Sequence, residues 1–117
     1  MPQYRLQTLL EIRERAEEAA KQAFSEAMRA LAKAQAEQRR LEEDLERRKR
    51  ERKAKVLAYL DEVMAKGAGA GGLAMMNRFE QRLKDEEAQV ALEIERQKEV
   101  VKEAEKLVEQ RRFEMAE

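Results

Sequence analysis

The sequence predicts an all-α fold in which two long helices form an antiparallel coiled-coil hairpin. Three observations predict it. Charged residues make up 43% of the 117 positions and aromatics only 4%, a balance found in long helices and not in compact cores. Helix breakers are confined to two places: Pro2 is the only proline, and all four glycines fall in GAGAGG, residues 67–72. On both sides of that run, apolar residues recur at steps of three and four, the spacing of a coiled-coil seam.

The first helix is predicted over residues 3–66, with Pro2 at a position that tolerates proline as a helix begins. Its seam runs through Leu6, Leu10, Ala20, Phe24, Ala27, Leu31, Ala34, Leu41 and Leu45. Residues 16–36 hold nine alanines, and small side chains let helix backbones come close. Beyond Leu45 the stripe continues through Arg48, Arg52, Val56, Leu60 and Val63 with one additional step of four. Such a stutter locally unwinds a supercoil. The glycine run, residues 67–72, reads as the turn. It lacks the G-x-x-x-x-G-K-[ST] pattern of a phosphate-binding loop and follows no strand. The second helix is predicted over residues 73–117, with Leu83, Glu87, Val90, Ile94, Gln97, Val101, Ala104, Val108, Arg111 and Met115 in its seam. Leu73, Met76 and Phe79 or Glu80 extend that seam toward the turn. An alternative start near Arg78 follows from Asn77 and Glu80, which resemble a capping box.

A short turn makes the two helices antiparallel neighbours. With its centre between Gly69 and Ala70, facing residues have numbers that sum to about 139; a start near Arg78 raises the sum to about 144. The first register brings together two charge blocks. Residues 47–53, RRKRERK, carry six bases and one acid, and residues 85–95 opposite carry five acids and no base. Flanking charges of this kind set orientation and register more than they add stability.

The same register leaves one end over. Glu117 faces about residue 22, so Tyr4, Leu6, Leu9, Leu10 and Ile12 have no partner within the chain. Either the natural protein continues by roughly twenty residues or these side chains dock on another protein, and both are expected. Several unpartnered large apolar groups on one helix end mark an interaction site. A hairpin whose seam is largely alanine also gains little from burial against about 1–2 kcal/mol of backbone entropy per ordered residue. It is expected to be marginally stable and to gain from partners.

Composition excludes several functions. The chain has no His, Cys or Trp, and Ser25, Thr8 and Asn77 are the only residues of their kinds. No serine or cysteine triad can be built, and the carboxylates lie along solvated helix faces without a pocket. The expectation is a protein that is not an enzyme, with no catalytic residue, no metal site and no cofactor. Formal net charge is zero, no aromatic interleaves RRKRERK, and a matching acidic block faces it, so nucleic acid is not an expected partner. No run approaches the roughly 20 apolar residues of a membrane span, and the N-terminus has no signal-peptide layout. The expectation is a cytoplasmic protein, or one at the cytosolic face of a machine, without membrane insertion. The start of the second helix, LAMMNRFEQRL, combines Met75, Met76, Phe79 and Leu83 beside the turn. It reads either as core at the tip or as a partner site, since methionine adapts to varied surfaces.

The opening YRLQTLLEIRERAEEAA, the glycine-interrupted middle and an aromatic followed by Leu four residues later (Phe79 and Leu83) resemble the FliJ and YscO-type family. These are coiled-coil central-stalk proteins of flagellar and type III secretion export ATPases. The resemblance spans the chain, which departs from the family by ending early in the second helix. It implies a non-enzymatic stalk that binds the hexameric export ATPase with its terminal end and the cytosolic domain of the export gate with its tip. Export chaperones are further candidate partners, and the place of action is the cytosolic face of the export apparatus. Carried over by position, Tyr4, Arg5, Leu6, Leu9, Leu10 and Ile12 would meet the ATPase, and Met75, Met76, Phe79 and Leu83 the gate. A general coiled-coil chaperone or scaffold hairpin gripping protein clients is the alternative function. A nucleic-acid-associated coiled coil using residues 47–53 is the third reading.

Overall fold

In a computed structural model, which describes residues 2–67 and 69–116, the chain is two helices. The first, α1, spans Pro2–Ala65 with 64 residues, and the second, α2, spans Ala70–Ala116 with 47. No strand occurs among the described residues. Ala68 and Glu117, assigned above to the turn and to the second helix, lie outside them.

The turn is tighter than the glycine run suggests. Gly67 closes α1 at φ +64°, the left-handed conformation that an L side chain resists. Its N–H donates to the Met64 carbonyl at 3.3 Å, and the Lys66 N–H donates to Glu62 at 3.0 Å. The α2 helix then begins at Ala70, three residues before the predicted Leu73, with the Gly72 N–H donating to the Gly69 carbonyl at 3.1 Å. Gly71 and Gly72 are accommodated in the first turn because glycine keeps its backbone N–H and costs only backbone entropy, about 1 kcal/mol each. Asn77 sits inside α2. It is therefore no N-cap, and the later start near Arg78 is overturned.

The chain divides into two compact units. One is Glu37–Gln97. Here Leu41, Val90 and Ile94 form a buried cluster with Leu45 packed on it. Arg52 and Glu87 meet across the helices, as do Tyr59 and Phe79. Their numbers sum to 139 and 138, the register of a turn centred at residues 69 and 70. The other unit is Met1–Ala36 with Lys98–Glu117. Ala27, Ala34, Val101 and Val108 are its buried residues. The Arg112 guanidinium lies 5.9 Å above the half-buried Phe24 ring, which sets the register there at 136. In both units α1 and α2 pack antiparallel.

The predicted seam is the buried stripe. Its α1 members from residue 20 to residue 63, the two arginines included, are buried or half-buried, as are its α2 members from 83 to 111. Leu73 and Met115, also assigned to the seam, are exposed. Leu73 is in the first turn of α2, before that helix settles against α1, and Met115 is in its last described turn. Among the described residues no large side chain is fully buried, because a helix with one neighbour keeps most of its circumference in water.

Candidate interaction surfaces

The first surface is the start of α1. Tyr4, Leu6, Leu9, Leu10 and Ile12 are between 56% and 72% exposed, and Arg5 is exposed among them. The Thr8 hydroxyl donates to the Tyr4 carbonyl at 3.0 Å, so even this polar side chain turns back on its own helix. At 3.6 residues per turn the five apolar side chains spread over about 240° of the circumference. A stripe meant for one neighbouring helix is far narrower, about 100°. Arg5, Thr8 and Arg13 fall within the wider arc and Gln3, Gln7 and Glu11 on the remainder, so large apolar side chains point in several directions with polar ones between them. Where α2 reaches its last described turn, Glu114, Met115 and Ala116 face Arg13, Ala16, Glu17, Ala20 and Lys21 across an open groove of about 650 Å³.

The second surface surrounds the turn. Met75 is exposed, whereas Met76, Phe79 and Leu83 are half-buried. Phe79 stacks on Tyr59 with ring centroids 5.5 Å apart, and the Arg82 guanidinium lies 5.6 Å from the Phe79 centroid. Phe79 and Leu83 thus act first as packing between the helices, and only Met75 of the four stands mostly free. The remaining open apolar surface here comes from Leu57, Met64 and Leu73, none of which was among the expected site residues. Met64 and Leu57 are off the seam by spacing, which was the available signal. Tyr59 gave none, since its partner is on the other helix.

A third feature is the charged stretch of the seam. Arg52 Nε donates to Glu87 Oε2 at 2.6 Å, and Arg48 Nη1 lies 3.7 Å from Glu86. Glu87 is 8% exposed, the one buried charged residue among those described. The two blocks do meet, through Arg52 and Arg48. Arg47 pairs with Asp44 and Glu51, and Lys49 with Glu46, on their own helix. Hydrogen bonds from Arg48 and Arg47 hold the Asp44 carboxyl below its ordinary pKa. The Arg40 guanidinium does the same to Glu37, and Arg111 to Glu114.

Among the described residues no cluster of His, Cys, Asp or Glu could hold a metal ion. No helix among the described residues is long and apolar enough to cross a membrane. Fold and surface together define a class: an all-helical antiparallel hairpin with open apolar surface at the start of α1 and around its turn. A family model described as YscO-like protein matches residues 1–117. The chain belongs to the YscO-like family. No curated protein and no solved structure matches it. Membership points to a component of type III secretion or flagellar export, in a family of structural stalk proteins not known as enzymes.

Proposed function

We propose that this protein is a non-enzymatic coupling stalk of a type III or flagellar export apparatus. The start of α1 docks in the central opening of the hexameric export ATPase, and the turn contacts the cytosolic domain of the export gate. The observation that carries this reading is the girth of apolar surface on α1. Tyr4, Leu6, Leu9, Leu10 and Ile12 point in directions that one flat partner cannot cover but a ring of subunits can. Family membership over the whole chain supports the choice of ring.

The mechanism follows from symmetry. A single asymmetric helix pair inside a sixfold ring contacts the subunits unequally, so nucleotide binding and hydrolysis are biased from one subunit to the next. At the other surface Met75, with Leu57, Met64 and Leu73, offers adaptable apolar contacts. Phe79 and Leu83 shape that surface from beneath, through the stack on Tyr59. Its site of action is the cytosolic face of the apparatus, where export chaperones are further partners.

The test is the ATPase rate of the purified hexamer with and without the chain, and with the Leu6→Asp, Leu10→Asp double variant. The wild-type chain is expected to change the rate. The variant is expected to fold normally, since both residues are exposed, and to lose the effect. A hexamer indifferent to the chain, or a double variant acting like wild type, refutes the coupling role.

A further inference from the structure

Neighbouring positions on the two helices border common grooves. In the unit Glu37–Gln97, Glu51 and Glu86, each one residue before a member of the Arg52 and Glu87 pair, line one groove with Arg48, Lys55 and Leu83. In the unit Met1–Ala36 with Lys98–Glu117, Ala16 and Glu114 do the same. The corresponding positions of that unit are Ala23 and Ala30 on α1, preceding Phe24 and Leu31, and Val100 and Leu107 on α2, preceding Val101 and Val108. This side of the unit is thus apolar, with small residues on α1 and larger ones on α2. Val100 is 51% exposed and Leu107 38%. The opposite side carries Gln35, Lys98, Glu105 and Arg112, with Met28 its one exposed large apolar residue.

We propose that this face pairs with the same face of a second copy, giving a parallel dimer of hairpins. Three features select a second copy over an unrelated partner. A two-fold axis parallel to the helices lays α2 of each copy against α1 of the other, still antiparallel and at the same level. At the register of 136 set by Phe24 and Arg112, Leu107 then enters the space over Ala30 of the second copy, so the large residues of one helix meet the small residues of the other. Lys33, on the outer border of α1, comes level with Glu103 on the outer border of α2 of the second copy, a carboxylate that also accepts from Lys106 of its own helix at 3.3 Å. The symmetry repeats that attraction twice, at exposed sites that fix register more than affinity. Finally, a two-helix layer with no large side chain fully buried gains a second layer at its least polar side. The dimer uses none of the six residues assigned to the ATPase, and the single hairpin of the export reading is its dissociated form.

Sedimentation of the full chain at concentrations up to about 1 mM tests the proposal. A monomer–dimer equilibrium is expected. The Val100→Glu, Leu107→Glu variant should weaken it by about tenfold or more while keeping the helical circular dichroism and melting of the monomer. Lys33→Glu alone should weaken the dimer, and Lys33→Glu with Glu103→Lys should restore it. The chain has no cysteine, so oxidation of mixed Ala30→Cys and Leu107→Cys chains should cross-link the two variants to each other in preference to themselves. A chain monomeric throughout, a dimer indifferent to the Val100 and Leu107 changes, or cross-links of Ala30→Cys with itself would overturn it.

Discussion

The ion pair in the seam supports a quantitative prediction. Arg52 and Glu87 occupy positions where the heptad calls for apolar side chains, and their side chains are 18% and 10% exposed. Breaking a fully buried pair costs about 3–5 kcal/mol, because the surviving charge is stranded. Here the remaining exposure lowers that figure. Glu87→Leu leaves an arginine whose long stem can carry its head outward, and about 2 kcal/mol of lost stability is expected. Arg52→Leu strands the shorter and more buried carboxylate, and about 3 kcal/mol is expected. Replacing both with leucine removes the desolvation penalty and adds apolar contact with Leu83 and Val56, so the double variant should equal or exceed wild type by about 1 kcal/mol or more. Urea unfolding followed by circular dichroism gives all four stabilities and the coupling between the two sites. If each single change costs less than about 0.5 kcal/mol, or the double variant is weaker than both singles, the pair is not the desolvated contact described above.

Three other tests address the turn, the stack and the ion pairs along α1. Gly67→Ala forces an alanine into φ +64° and should cost about 1 kcal/mol, whereas Gly71→Ala, helical with open space around it, should stabilise by about 0.5 kcal/mol; thermal melting separates the two signs. Phe79→Ala removes the stack on Tyr59 and a half-buried ring and should cost about 2 kcal/mol in urea unfolding, while Met75→Ala, exposed, should cost almost nothing. Asp44 has a lowered carboxyl pKa through its hydrogen bonds to Arg48 and Arg47. A carboxylate lowered on folding adds stability above its unfolded pKa, near 4, and loses it as pH falls through the lower folded value. The melting temperature of wild type should therefore fall between about pH 5 and pH 2, and that of Asp44→Asn should fall less.

How much of this was legible in the sequence differs by element. The seam from Leu83 through Val108 could be read directly, because a strict alternation of four and three leaves one stripe to bury. The register followed from the turn and was supported by the opposed charge blocks, with Arg52 and Glu87 meeting as their numbers require. The start of α2 was misread: GAGAGG has the composition of a break, but a glycine in a first helical turn costs only entropy and gives up no hydrogen bond. Leu73 was assigned to the seam by spacing alone, which says nothing about where the two helices first come into contact. The exposed start of α1 was legible by subtraction, once α2 had been counted to its end against it. The turn surface was only half legible. Met75 fell off the stripe visibly, but the partner that draws Phe79 inward, Tyr59, lies 20 residues away on the other helix and belongs to no local pattern.

That every large side chain among the described residues keeps some contact with water bears on how variants of this protein are to be read. In a thick domain, interior positions govern stability and outer ones govern recognition, so a loss of binding can be assigned to one or the other by depth. Here Phe24, Leu31, Leu60 and Phe79 each belong to both categories. A truncation at any of them shifts the folding equilibrium and alters what a neighbour can touch. A capture experiment on its own therefore cannot separate the two causes. Only affinities measured beside the free-chain unfolding curve, at a temperature where each variant is still helical, assign an effect to the contact and not to the scaffold.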